Sequence, residues 1–320
     1  MTSASVRTSV LALVALGACG TDAPRTPEVV VEDASAGVGL LSVVGANADA
    51  VYWSAAQPNT TKLVFGSTLA GGTGTQLGIS TGPIVHVGDH VVLATTKTIV
   101  RTGVTTPAVG ITSPMAEAVG ENPDGMLIWF GGGQIAWGAK AMEGSVMTRL
   151  ARANAIRANA NHTYVAGTFA ASTEWRLSRL DRGSNRLMTV AGSMEYAAQF
   201  PGGASASSAY RGARVGIDEA GALWLVTETR DEDSVPSRAI LVSVPDEGEP
   251  TLLLEHMGAV SAFFATSDRL YWQEGDAVLS APKGGGAASI AAHITGQAGA
   301  VADNFVYYVN GSAIERLAVD

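Results

Sequence analysis

Apolar and polar positions along this chain alternate in short runs, and the runs return at intervals. The clearest copy spans 267–291. There Ser267-Asp268-Arg269-Leu270-Tyr271-Trp272 is followed by a break, then Ala277-Val278-Leu279-Ser280-Ala281-Pro282, Lys283-Gly284-Gly285 and Ser289-Ile290-Ala291. Runs of this length, rich in β-branched and aromatic residues and bounded by Gly, Pro and Asp, predict turn, strand, loop, strand, tight turn and strand. Looser copies fill most of the rest. Asp49 precedes Val51-Tyr52-Trp53, Asp89 precedes Val91-Val92-Leu93, and Asp124-Gly125 precedes Met126-Leu127-Ile128-Trp129. Asn161 precedes Thr163-Tyr164-Val165, Asp218 leads to Ala222-Leu223-Trp224, Asp268 precedes Leu270, and Asp303 precedes Phe305-Val306-Tyr307-Tyr308. An Asp or Asn suits this place because its side chain bonds nearby backbone and tolerates the left-handed turn of a tight hairpin.

Seven markers, Val51, Val91, Leu127, Thr163, Leu223, Leu270 and Phe305, are separated by 40, 36, 36, 60, 47 and 35 residues. A period near 40 is the length of a four-stranded propeller blade. A further apolar strand precedes each marker, as in Leu41–Val44, Ile84–Val87, Ala213–Ile217 and Val260–Phe264, and others follow, as in Lys62–Phe65 and Ile240–Val244. The pattern predicts an all-β fold, a single seven-bladed β-propeller over residues 28–320. A six-bladed ring is the alternative, because the second unit lacks the Tyr-Trp pair. The last unit ends after its third strand at Ala313–Ala318, and the spare strand Glu28–Asp33 near the start fits the missing place. Lending one terminal strand to the other end closes the ring and covers two free edges. Leu270-Tyr271-Trp272 with Pro282-Lys283-Gly284-Gly285, and Val51-Tyr52-Trp53 with Leu69-Ala70-Gly71-Gly72, resemble the repeats of bacterial secreted propellers of the YWTD and NHL types. That resemblance implies a fold and no particular activity.

Composition supports a folded, turn-rich chain: 47% hydrophobic, 15% charged and 38 glycines. The formal net charge of -9 and the scattered basic residues argue against a nucleic-acid partner, which calls for clustered Lys and Arg. Cys19 is the single cysteine, so neither an intramolecular disulfide nor a cysteine-built zinc site is available. It follows Arg7 and the apolar run Val10–Leu16, which is too short for a permanent membrane span and suits a signal segment. Leu16-Gly17-Ala18-Cys19 resembles the lipobox of bacterial lipoproteins. The resemblance implies a signal peptide over 1–18, a lipidated Cys19 with acyl chains such as palmitate, and a tether over 19–27. Gly20 in place of Asp implies anchoring at the outer rather than the inner membrane of the cell envelope.

Candidate chemistry is sparse. The Tyr-Trp pairs read as packing between blades. The histidines, His86, His90, His162, His256 and His293, show no metal-ligand spacing, and His86 lies on a strand expected to face the axis. Gly131-Gly132-Gly133 reads as a hairpin, not a phosphate cradle. No nucleophile elbow or cofactor motif is present, so no catalytic residue, metal or cofactor is expected. Four long connections stand out: Ser54–Thr61, Gly167–Glu174, Ser193–Arg211 and Thr227–Arg238. Strand alternation puts all four on one side of the disc. Trp175, Tyr196, Phe200, Tyr210, Arg211, Arg230 and Asp231 are the expected binding-face residues, since aromatics beside charges on long loops suit recognition. The expected function is a membrane-anchored, non-catalytic binding or scaffold module for an envelope protein or glycan. The alternative is a propeller hydrolase or lyase with its site in the axial channel.

Overall fold

The computed structural model describes residues 25–34, 39–70, 73–113, 115–170, 172, 174–200, 208–218, 220–230 and 236–319. The expected leader and Cys19 lie outside the described residues. Twenty-eight strands form seven four-stranded antiparallel sheets, the blades of a β-propeller. After β1 (Glu28–Val31), the first blade is β2 (Leu41–Ala46), β3 (Ala50–Ala56), β4 (Lys62–Thr68) and β5 (Thr75–Ser80). The second is β6 (Ile84–Val87), β7 (His90–Ala94), β8 (Thr98–Thr102) and β9 (Val109–Thr112), so the weak second unit is a true blade and the six-bladed alternative falls. The third comprises β10 (Ala118–Glu121), β11 (Leu127–Gly131), β12 (Gln134–Gly138) and β13 (Gly144–Met147). The fourth comprises β14 (Leu150–Ala158), β15 (His162–Phe169), β16 (Trp175–Asp181) and β17 (Arg186–Gly192). The fifth comprises β18 (Ser208–Asp218), β19 (Gly221–Arg230), β20 (Pro236–Pro245) and β21 (Thr251–Met257). The sixth comprises β22 (Val260–Ala265), β23 (Arg269–Glu274), β24 (Ala277–Pro282) and β25 (Ser289–His293). The seventh, β26 (Gln297–Ala302), β27 (Phe305–Asn310) and β28 (Ala313–Ala318), takes β1 as its outer strand.

Closure follows the expected exchange. β1 runs antiparallel to β28, with Glu28 opposite Arg316 and Val31 opposite Ile314. Val30 and Val31 are buried, Ala34 N donates to Ser312 O at 2.7 Å, and Trp53 Nε1 donates to Ala34 O at 3.0 Å. The first blade is thus bound to the segment that completes the last.

The core is divided into seven wedges, one between each pair of neighbouring blades. This explains the adjacent Tyr and Trp of the repeat. Successive side chains of a strand point to opposite faces, and here both faces are buried. Tyr52 enters the wedge with the second blade while Trp53 enters that with the seventh. Tyr271 and Trp272 divide in the same way.

Three of the turns into the second strands carry a correction. There the Asp or Asn beside the marker is not the main cap. The residue two places earlier is: Asn47 Oδ1 accepts from Asp49 N and Ala50 N at 2.9 and 2.8 Å. Asn122 does so for Asp124 N and Met126 N, and Asn159 for Asn161 N and His162 N. The seventh blade keeps the expected left-handed pair, with φ of 49° at Asp303 and 60° at Asn304. Gly132 and Gly133, at φ of 60° and 77°, form the two-residue hairpin expected of the triple glycine.

Candidate functional site

Each blade is a meander, so its first and third turns open on one face and its second turn and the link to the next blade open on the other. The expected elaborations fall on this second face, but much of their length is strand. β19 continues to Arg230 and β20 starts at Pro236. Of Ser193–Arg211, Ser193–Gln199 is a 3₁₀ turn and the end from Ser208 belongs to β18. Pairs such as Ala209 with Thr229 and Tyr210 with Glu228 extend the hairpin. Its small and polar residues hide this from a hydrophobic pattern, because cross-strand bonding rather than alternation holds them in register.

This lengthening changes the place of the expected aromatic residues. Phe200 and Tyr210 are each 2% exposed, within the wedge between the fourth and fifth blades. Trp175 and Tyr196 are half-buried against the same wedge, and the Tyr196 ring meets Trp224 edge-on at 6.3 Å. They are packing residues, because burying each ring removes a large apolar area from water. Arg211 remains exposed on β18, Arg230 ends β19, and Asp231 lies outside the described residues. Beneath this face Glu228 is fully buried, and its Oε2 accepts from Arg238 Nε at 2.6 Å and lies 2.5 Å from Arg238 Nη2.

The same face opens on an axial cavity of about 710 Å³. Six of the seven innermost strands line it, through Val43, Arg157, Arg214, Ala262, Ala298 and others. Leu40, Ser42 and Lys62, where strands begin on this face, set its rim. Most of the lining residues are small or aliphatic, Phe263 and Phe264 add aromatic rings, and Ser, Asn, Gln, Arg and Lys side chains supply polar surface. Close packing keeps the ring narrow: a Cβ on Gly299 would lie 2.4 Å from the Val43 carbonyl oxygen of the next blade. Among the described residues that line the cavity none is His, Asp, Glu, Cys or Tyr. Such a surface can hold and orient a ligand, but it offers no group that exchanges a proton near neutral pH. Arg157 and Arg214 were missed as site residues. The available signal was a guanidinium flanked by apolar residues in an innermost strand, Ala155-Ile156-Arg157-Ala158 and Ala213-Arg214-Val215.

The histidines do not gather at the axis. His86 sits in the wedge between the first two blades, with its ring 5.3 Å from that of Tyr52 and against Gly45, where a Cβ would meet the imidazole at 2.1 Å. Burial, with the nearby charge of His90, keeps it neutral and lowers its pKa to about 4. His162 Nδ1 lies 3.1 Å from Asp246 Oδ1 in a link between the fourth and fifth blades, where Tyr164 OH donates to Asp246 at 2.6 Å. His293 is exposed beside Asp276. For His256, only its place on β21 is described. Among the described residues no three His, Cys, Asp or Glu side chains are placed to hold a metal ion.

His90 clasps the second blade to the third on the opposite face. Its Nε2 lies 2.6 Å from Glu121 Oε2, its Nδ1 2.8 Å from Asp89 Oδ1, and Arg101 donates to Glu121 Oε1 at 3.0 Å. The bond to Glu121 raises the His90 pKa above its ordinary 6.5; burial opposes this and Asp89 adds to the rise. Burial pushes Glu121 up, but His90 and Arg101 more than reverse this and hold it below 4.5. A raised histidine stabilises the fold in full below 6.5 and loses its contribution as pH rises through its folded pKa. A lowered carboxylate stabilises in full above 4.5 and loses its contribution as pH falls through its folded value. The clasp is therefore strongest between these bounds. His90→Gln is expected to cost about 1.5–3 kcal/mol there, with the difference from the parent shrinking toward alkaline pH. Urea midpoints of both proteins across pH check this, and a difference that grows above neutrality contradicts the assignment.

Neither a protein-family model nor a curated protein sequence matches this chain. Solved structures match in fold. An oligogalacturonate lyase in complex with manganese is 11% identical with a TM-score of 0.56, over 93% of this chain and 97% of its own. The oligogalacturonate lyase of Vibrio parahaemolyticus is 7% identical with a TM-score of 0.55, over 93% and 97% of the two chains. The β-propeller domain of the Trilobed protease from Pyrococcus furiosus is 12% identical with a TM-score of 0.53, over 88% and 94%. That domain has an open velcro topology, whereas here β1 completes the last blade. Identities this low speak for fold alone.

Proposed function

We propose that this chain is a non-catalytic binding module of the bacterial cell envelope, held at a membrane by lipidated Cys19, that seats its ligand in the axial cavity. The ligand is a group borne by an envelope protein or glycan. The observation that carries this reading is the cavity of about 710 Å³, open on the face where the longest hairpins rise. Its volume falls in the range of small-ligand sites, and its described lining has the composition of a binder rather than of an acid–base catalyst. The anchor rests on Leu16-Gly17-Ala18-Cys19 behind its short apolar run. Several acyl chains at one residue give firm attachment, at ~0.8 kcal/mol for each CH₂ buried.

The test uses the full chain in mild detergent, incubated with a cell-envelope extract, washed, and weighed by native mass spectrometry. Ser42→Trp and Gln297→Trp place an indole at exposed positions of the cavity wall, where the fold has room for it. The parent protein is expected to retain a defined extra mass, and both variants to lose it. Retention by the variants, or no retained mass on the parent, removes the axial binding reading. Cys19→Ser is expected to move the protein from the membrane to the soluble fraction. If it stays with the membrane, the anchor is misassigned.

A further inference from the structure

The axial cavity carries charge of one sign. Arg157, Arg214 and Lys62 line it and, among the described residues, no carboxylate does, although the whole chain has a net charge of -9. Other arginines of the fold have acidic partners: Arg101 with Glu121, Arg176 with Glu174, Arg182 with Asp124, Arg238 with Glu228 and Arg316 with Glu28. The cavity pair has none. Arg157 Nη1 donates at 2.8 Å to the carbonyl of its own neighbour Ile156, and Arg214 Nη2 donates at 2.7 Å to Ser261 O across to the sixth blade. A guanidinium has five N–H donors, so each has most of its donors unused.

The two line one cavity from neighbouring parts of the ring. They belong to β14 and β18, the innermost strands of adjoining blades, with Arg157 opposite Tyr164 and Arg214 opposite Leu225. Desolvation lowers the pKa of both, although Arg157 is only half-buried and Arg214 keeps exposed surface. Two guanidinium groups on one cavity wall with no carboxylate among its described lining favour an anion there.

We propose that the axial cavity binds a small organic anion whose carboxylate or phosphate group is held by Arg157 and Arg214. Both groups accept paired, charge-assisted hydrogen bonds from a planar guanidinium. Lys62 at the rim draws the anion toward the opening by its charge. Val43, Ala155, Ala298, Phe263 and Phe264 then offer apolar wall to the body of the ligand, and Asn154 and Gln297 offer amides. This deepens the binding reading above and rests on it.

The experiment is titration calorimetry on the full chain in detergent, at low salt, with inorganic phosphate, glucose 6-phosphate, glucuronate and neutral glucose. Glucose 6-phosphate or glucuronate is expected to bind, glucose is not, and raised salt weakens the binding. A preference between the two acidic sugars tells a phosphate site from a carboxylate site. Arg157→Gln and Arg214→Gln are each expected to weaken binding by roughly tenfold or more, and together to abolish it. Arg214→Lys, which keeps a donor toward Ser261, restores part of it and guards against a folding defect, with melting temperatures recorded for every variant. Binding by no anion at millimolar concentration, equal binding of glucose, or unchanged binding in the double variant overturns the proposal. If the double variant still retains the mass that Ser42→Trp and Gln297→Trp expel, the cavity binds a neutral ligand and only the anion assignment falls. If the tryptophans expel nothing, the binding reading falls with it.

Discussion

Deletion of residues 25–34 lowers the melting temperature by roughly 10–20 °C and exposes the last blade to self-association. The segment supplies β1, the strand that covers the edge of β28. Buried Val30 and Val31 go with it, at about 1.5–3 kcal/mol for each side chain. The Trp53 indole, buried beside Ala34, loses the acceptor of its N–H, and an unsatisfied buried donor costs about 1–3 kcal/mol. Together these come to about 4–9 kcal/mol, and a domain larger than about 150–250 residues shifts at the lower end of about 2–4 °C per kcal/mol, which gives the expected drop. The freed edge of β28 is a template for another strand, so light scattering rises with concentration. Arg316→Ala serves as the contrast. Its pair with Glu28 lies at the surface, with the Glu28 side chain 56% exposed, and exposed pairs contribute about 0–1 kcal/mol. A truncated chain that melts within about 3 °C of the parent would mean that the ring holds without its exchanged strand.

The second large effect is expected at Glu228. This carboxylate is wholly buried between the strands of the fifth blade, and Arg238, with its guanidinium 5.7 Å over the Phe200 ring, faces it. Glu228→Ala removes the buried carboxylate that accepts from Arg238 Nε, a loss of about 3–5 kcal/mol. The paired replacement Glu228→Leu with Arg238→Leu removes both charges and is expected to recover most of that loss, because a buried pair yields little net stability over apolar packing. Urea midpoints of the two singles and the double separate these terms. A double variant no more stable than Glu228→Ala would show that the two residues do not act as a pair. Protease cleavage within the hairpins of the fifth blade should rise in the single variant, since Phe200 and Tyr210 share this wedge.

The candidate site divides along the same physical lines. Period-two runs with turn residues between them reveal strands whichever neighbours they have, which is why seven markers located seven blades. The adjacent Tyr and Trp were readable as packing because a strand buried on both faces leaves no polar side for recognition. Tyr196, Phe200, Tyr210 and Trp175 were read as a surface from their place among small polar residues. Phe200 and Tyr210 are core, with Trp175 and Tyr196 half-buried against them, because β18 and β19 extend by cross-strand pairing, and local pattern does not report a partner strand. In three of the recurring turns the cap lies two residues before the place the pattern suggests, for a similar reason. Asp49 and Asn47 are both apt in composition, and only the backbone geometry puts Asn47 Oδ1 within reach of the two amides.

The class of fold and the exchange of a terminal strand are legible in local periodicity, turn chemistry and a count of strands, whereas seven blades rather than six rests on the second sheet, β6 to β9. Tertiary structure alone decided which side chains meet. Arg157 and Arg214 stand 57 residues apart in the chain, and Ser42 and Gln297 belong to its two ends. The ring brings them to one axial cavity because each innermost strand faces the centre wherever its repeat lies in the sequence. A guanidinium between apolar neighbours is an anomaly when read along the chain. On the wall of the axial cavity, with a second guanidinium on the adjoining blade, it becomes the proposed site.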